Sequence, residues 1–215
     1  MRRITVIGGH YGSGKSEIAV NMALEHELDM LVDLDVVNPY FRSRSLHEMF
    51  KARGIHLVES TIKASSGSDL PYISGEGAAP FHNTRLRAVY DLAGTQAGAK
   101  LMRQYDEILP LKDVEFLLVV NIFRPETQSA EAIIDLAETL EGSAGLRFTG
   151  LINNTNLLNE TTLENIHQGQ RILRDVARIK AIPIRYTYVS AHLSGDEDFD
   201  GETKQLTRHL AKRWL

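Results

Sequence analysis

The chain has 215 residues and a mass of 24.1 kDa, long enough for one domain, residues 1–215, to bury a full core without staples. The absence of Cys excludes disulfides, thiolate zinc sites and cysteine-held iron–sulfur clusters, and a formal charge of −4 argues against a general nucleic-acid coat. No apolar run approaches the roughly 18 residues of a membrane span. The basic-then-apolar start, Met1 to Ile7, stops at Gly8, too short for a signal peptide, so it reads as a buried strand of a cytoplasmic protein.

Ile4–Ile7 is the first predicted strand, followed by a helix from Lys15 to Leu28 with an apolar stripe at Ile18, Ala19, Met22 and Ala23. Met30–Asp35 reads as a second strand, Ser45–Arg53 as a helix stopped by Gly54, and Ile55–Glu59 as a third strand. From Thr61 to Asn83 there is no periodicity, and Ser, Gly and Pro recur; this is either a lid or partner surface or a plain connection. Leu86–Leu92 resumes strand character, and Gln96–Ile108 reads as a helix. The second half alternates: strand Val114–Phe123, helix Gln128–Leu140, strand Phe148–Asn153, helix Thr162–Ile179, strand Ile184–Val189 and a last helix Glu202–Trp214. Nearly all-apolar strands separated by helices imply an α/β fold, a doubly wound, mostly parallel sheet with helices on both faces.

Gly9-His10-Tyr11-Gly12-Ser13-Gly14-Lys15-Ser16 fits G-x-x-x-x-G-K-[ST] between a strand and a helix. Glycines let successive backbone N–H groups curl around a phosphate, and the helix N-terminus adds partial positive charge. Lys15 is placed to reach the β/γ-phosphates and the Ser16 hydroxyl to coordinate Mg²⁺. Asp33-Leu34-Asp35 closes the second strand, where a carboxylate can orient an attacking water or share a Mg²⁺ shell. Asp91-Leu92-Ala93-Gly94 closes another; Asp91 fits the Mg²⁺ shell and the Gly94 N–H a γ-phosphate contact. Asn153-Asn154-Thr155-Asn156 stands where guanine readers carry N-K-x-D. Asn156 is a poorer acceptor for the two guanine donors than a carboxylate, while the Asn153 amide can pair with adenine, so the segment favours ATP over GTP.

This ordered set resembles the small P-loop ATPases of the MinD/ParA type (the CobQ/CobB/MinD/ParA group), over nearly the whole chain. The resemblance implies an ATP-binding loop at Gly9–Ser16, a switch region at Val32–Asp35 with Asp35 positioning water, and a second switch at Asp91–Gly94. Val120–Glu126 resembles the family's strand-end segment with Pro-Glu before a helix, and Asn153–Asn156 its adenine segment. The family's signature lysine, which reaches across a nucleotide-dependent homodimer, is here His10. Loops of metallochaperone GTPases are similar, but those proteins need N-K-x-D and metal-binding clusters.

The expected activity is a Mg-ATP-dependent switch, with ATP and Mg²⁺ as cofactors, Lys15, Asp35 and Asp91 as the catalytic set, and Ser16, Asp35 and Asp91 around the metal. Its output would go to an unidentified protein partner, with neither nucleic acid nor membrane expected. The rivals are a dethiobiotin-synthetase-like ligase or kinase, whose acceptor loop Asp69–Arg87 would use His82, Arg85 and Arg87, and a nucleotide-bound adaptor without turnover. Arg42 and Arg44 read as solvated ion-pair residues or as an arginine finger. The remaining His residues read as ordinary surface groups. Leu206, Leu210 and Trp214 with flanking bases read as a docked last helix or, alternatively, a membrane-surface helix.

Overall fold

The computed structural model describes residues 1–35, 44–59, 75–193 and 198–210. Its centre is β1, Ile4–Gly9, buried throughout. Around it lie β2 (Met30–Leu34), β3 (His56–Glu59), β4 (Ala88–Leu92), β5 (Val114–Val120), β6 (Gly150–Asn153), β7 (Ile184–Ser190) and β8 (Glu202–Leu206). They form one eight-stranded sheet in the order β3-β2-β4-β1-β5-β6-β7-β8, every pairing parallel.

Parallel neighbours need crossovers, and most of the crossovers carry a helix. Helices α1 (Lys15–Glu25) and α2 (Arg44–Ala52) cover one face, where Ile18, Met22, Leu46 and Phe50 meet Ile7, Leu31, Val89, Leu117 and Ile152. The opposite face is covered by α3 (Ala79–His82), α4 (Gln96–Ala99), α5 (Ala130–Ala144) and α6 (Leu163–Lys180), which pack Phe81, Ala99, Ile133, Leu140, Leu173 and Val176 onto Ile4, Val6, Val32, Tyr90 and Leu118. Strand alternation explains the division: Val6 and Ile7 are consecutive and face opposite layers. Local signals start the longer helices of the second half. Ser129 caps α5 through the Ala132 N–H, and Thr162 with Asn165 makes a reciprocal capping pair on α6.

Two elements differ from expectation. The run predicted as a helix over Gln96–Ile108 is broken into α4 and a 3₁₀ turn, Lys100–Tyr105. The predicted last helix is a strand, β8, parallel to β7. Leu206 and Leu210 are four residues apart, an even spacing that suits strand alternation as well as a helical turn. Leu206 is buried and Leu210 packs partly against the α1 side of the core. Residues 207–210 then lie on α1: Asn21 Nδ2 donates to Thr207 O (2.8 Å), the Thr207 N–H donates to Asn21 Oδ1 (2.9 Å), and the His209 and Leu210 N–H groups donate to Glu17. Trp214 lies outside the described residues, as do Asn38–Arg42 and most of the 61–83 segment, whose last part forms the 3₁₀ turn Gly75–Ala78 and α3. Among the described residues no helix is long and apolar enough to cross a membrane.

Candidate functional site

In a parallel sheet the C-terminal ends of all strands share one rim, and the loops after β1, β4, β5 and β6 meet there beside the end of β2. The loop after β1 runs from Gly9 to Gly14. Gly12 (φ 73°) and Gly14 (φ 91°) hold left-handed conformations that a side chain would strain, and no side chain caps α1 at Gly14. The first N–H groups of α1 are therefore left for an external acceptor. A Cβ on Gly94 would fall 2.6 Å from the Tyr11 nitrogen, so the loop after β4 rests directly on the loop after β1 because residue 94 is glycine.

Lys15 points inward, 5% exposed, and its Nζ donates to His10 O at 2.9 Å. Burial lowers its pKa, and the nearby charges of Asp91 and Asp35 oppose that shift. Asp91 is fully buried beside β1 and β2, in register with Ile7 and Asp33. Burial pushes its pKa up to about 7; Lys15 and the Ser16 hydroxyl favour the ionised form, and Asp35 opposes it. Neither Asp91 oxygen has a hydrogen bond of ordinary geometry. Asp33 is pushed up to about 8, first by burial and then by Asp91, although its Oδ1 accepts the Asp35 N–H at 2.8 Å. Lys15, Ser16, Asp35 and Asp91 are thus brought together as the sequence analysis expects, and Asp33 joins them.

The base-reading expectation changes register. Asn153 is fully buried, its Nδ2 donating to Ile166 O (3.1 Å) and its Oδ1 accepting the Thr155 N–H (3.1 Å). Its amide holds β6 to α6 and does not face the rim. Asn154 instead reaches the loop: Nδ2 donates to Ser13 O at 2.7 Å, while Oδ1 is buried without a partner. Asn156 is half-buried, its Nδ2 donating to Asn154 O (2.8 Å) and its Oδ1 accepting the Leu158 N–H (3.3 Å).

The loop after β5 supplies further supports that the order of residues alone does not disclose. Arg124 Nε donates to Gly12 O (2.9 Å), and Glu126 pairs with His10 Nε2 (3.1 Å). The other His10 ring nitrogen lies 2.9 Å from Tyr11 O. His10, at the signature-lysine position, is therefore engaged within its own chain. The Pro-Glu segment carried the signal for Glu126, but only the fold shows that it faces the loop. Tyr11, between the two gripped residues, is 56% exposed.

His82, Arg85 and Arg87 do not join this rim. They precede β4, at the opposite end of the strand from Asp91, and Arg87 is bound to Asp29 and to His26 O. Arg42 lies outside the described residues.

The donor set fits a Mg²⁺-bearing polyphosphate. Among the described residues, Ser13 Oγ, both Asp91 oxygens and Asn154 Oδ1 are buried polar atoms without a hydrogen bond of ordinary geometry, beside an uncapped helix start and a buried lysine. Hydroxyl and carboxylate oxygens are the ligands that a hard cation prefers.

No family model matches the chain, and no curated protein matches it. Among solved structures it is similar to cell division protein FtsY of Thermotoga maritima, with 19% identity, 86% of this chain and 61% of that one covered, and a TM-score of 0.53. Chloroplast FtsY of Physcomitrella patens gives 16% identity, coverage of 87% and 58%, and a TM-score of 0.54. The signal recognition particle 54 kDa protein of Aeropyrum pernix K1, in complex with GDP, gives 16%, 86% and 40%, and 0.51. The chain has the P-loop NTPase fold. It spans about three fifths or less of the length of these proteins. They are signal-recognition proteins and not proteins of the MinD/ParA group, so the likeness carries the P-loop NTPase fold and does not carry the MinD/ParA resemblance.

Proposed function

We propose that the chain binds a Mg²⁺-nucleoside triphosphate, ATP, hydrolyses it slowly, and acts as a nucleotide-dependent switch on a protein partner. The observation that carries this reading is the buried Lys15–Asp91 pair under an uncapped Gly-rich loop. Lys15 would leave His10 O and neutralise phosphate oxygens; the loop N–H groups would hold the same oxygens. Ser16 and Asp91, with Asp35, would hold the cation, which neutralises charge on the transferred phosphoryl group. Asp35 would orient the attacking water at the end of β2. Gly94, packed on Tyr11, would move when a γ-phosphate takes up the space beside the loop, which gives the site two arrangements for a partner to read.

ATP is favoured because the amide of Asn156 is committed to neighbouring backbone groups, and no carboxylate stands at Asn153–Asn156 to accept from guanine. GTP is the second reading, favoured by the GDP that accompanies the structurally similar 54 kDa protein. Calorimetric titration with Mg-ATP and Mg-GTP separates them. ATP is expected to bind tighter by roughly 5- to 150-fold, the cost of a mismatched buried donor. Equal affinities would remove Asn154–Asn156 from base recognition, and tighter GTP would establish the second reading. A titration in which neither binds would end both.

A further inference from the structure

We infer that Arg124 is a nucleobase platform, its guanidinium plane stacking on the base of the nucleotide held by the Gly9–Ser16 loop. The inference rests on the nucleotide-binding reading above and names a residue that selects for a base as such.

Within the loop, His10 O is taken by the inward-pointing Lys15, whereas the carbonyls of Gly12 and Ser13 are taken by side chains of the loops after β5 and β6. Arg124 Nε is bonded to one of those carbonyls, Gly12 O, at 2.9 Å, and its Cζ would stand 3.3 Å from a Cβ on Gly12. That bond sets the guanidinium against a carbonyl of the loop and not against its N–H groups, which are the groups that meet phosphates. The terminal nitrogens have no protein partner among the described residues, and the side chain is exposed. The next carbonyl along the loop, Ser13 O, is held by Asn154, whose buried Oδ1 still lacks a donor. Two side chains thus grip consecutive carbonyls of the loop, one offering a planar cation and the other a buried amide oxygen with no donor among the described residues.

The surroundings fit a flat heteroaromatic ring. Asn121 Nδ2 donates to Asn156 O (3.0 Å), which ties the loop after β5 to the turn after β6. That turn presents Leu157 and Leu158, 40% and 56% exposed, and Leu158 holds a left-handed backbone (φ 58°). The strain is held by Thr161, whose hydroxyl accepts the Leu157 N–H and donates to Leu158 O. Exposed leucines on the turn tied to the arginine's own loop offer apolar surface that a purine prefers, and a guanidinium stacks on aromatic faces.

The test compares binding of Mg-ATP and of Mg-tripolyphosphate, which has no base, to the wild type, Arg124→Ala and Arg124→Tyr. Arg124→Ala is expected to weaken ATP by roughly 5- to 30-fold and tripolyphosphate by less than about 2-fold. Arg124→Tyr, which restores a flat face but not the bond to Gly12 O, is expected to recover most of the ATP affinity. Equal weakening of both ligands without recovery in Arg124→Tyr would make Arg124 a loop support and overturn the inference. So would unchanged ATP binding in Arg124→Ala. Failure of the wild type to bind ATP is a different result, since it removes the nucleotide-binding reading itself and this inference with it.

Discussion

Lys15 is a cation held out of water, and among the described residues its hydrogen bond is to a backbone carbonyl of its own loop. Such a group is arranged to exchange a weak internal partner for a strong anionic one. Lys15→Ala is expected to lower Mg-ATP affinity by roughly 10- to 150-fold, the worth of one hydrogen bond to a charged group. Circular dichroism should show an unchanged fold; nucleotide binding equal to wild type in calorimetry would dismiss the phosphate-loop reading. Asp35 and Asp91 should separate. Asp35→Asn keeps ATP and loses turnover, because water positioning matters in the transition state, whereas Asp91→Asn weakens the Mg²⁺ dependence of binding. Normal turnover in Asp35→Asn would shift the water-positioning role to another group.

At the scale of elements, the last described segment is fastened to the helix that begins at the loop lysine. Glu17 follows Ser16 directly and accepts two N–H groups from residues 209 and 210; Asn21, one turn on, makes two reciprocal bonds with Thr207. Burial raises the Glu17 pKa, and those two N–H groups pull it back. Removing one partner leaves buried backbone groups unpaired, at about 1–3 kcal/mol. Asn21→Ala and deletion of Gln205–Leu215 should both lower the melting temperature, the deletion more, since it also uncovers the sheet face under Leu206. A truncated protein that melts like the full chain would show that this strap contributes nothing to stability. The loops after β1 and β4 form a second such contact. Gly94→Ala would drive a methyl into Tyr11, so ATP binding should fall while the melting temperature changes little; full binding would show that the Tyr11 backbone yields easily.

Over the whole molecule, the parallel sheet delivers Asp33, Asp35 and Asp91 from adjacent strands to one rim. Burial at that rim raises Asp91 to about 7 and Asp33 to about 8, and neighbouring carboxylates add to the shift. Both values lie above those of the unfolded chain, so the stabilising contribution is complete below about pH 4 and is lost as pH rises through 7 and 8. The nucleotide-free protein should therefore melt lower at pH 8.5 than at pH 5.5, by about 2–4 °C for each kcal/mol lost. Mg-ATP affinity should run the other way, rising with pH, because cation binding takes the ionised Asp91. Asp33→Asn should flatten the upper part of the stability profile. A melting temperature independent of pH over this range in both proteins would contradict the buried-carboxylate account.

The glycine-rich loop between β1 and α1, the parallel α/β architecture and the placing of Asp35 and Asp91 at strand ends were legible in the chain because each rests on local order: a spacing of glycines, an apolar run, an acid at a strand end. The same local order misled where two structures share one pattern. Leu206 and Leu210 suit a strand as well as a helix, and only the open edge of β7 made the strand the better burial. Among Asn153, Asn154 and Asn156 nothing in the sequence says which amide faces the loop, because neighbouring strand-end residues point to opposite sides and α6 had to claim Asn153 first. Arg124 and Glu126 reach residues more than a hundred positions away, a pairing that exists only because β5 lies next to β1. Residue types and their spacing determined what chemistry the chain could hold; the order of the strands decided which side chains meet to hold it.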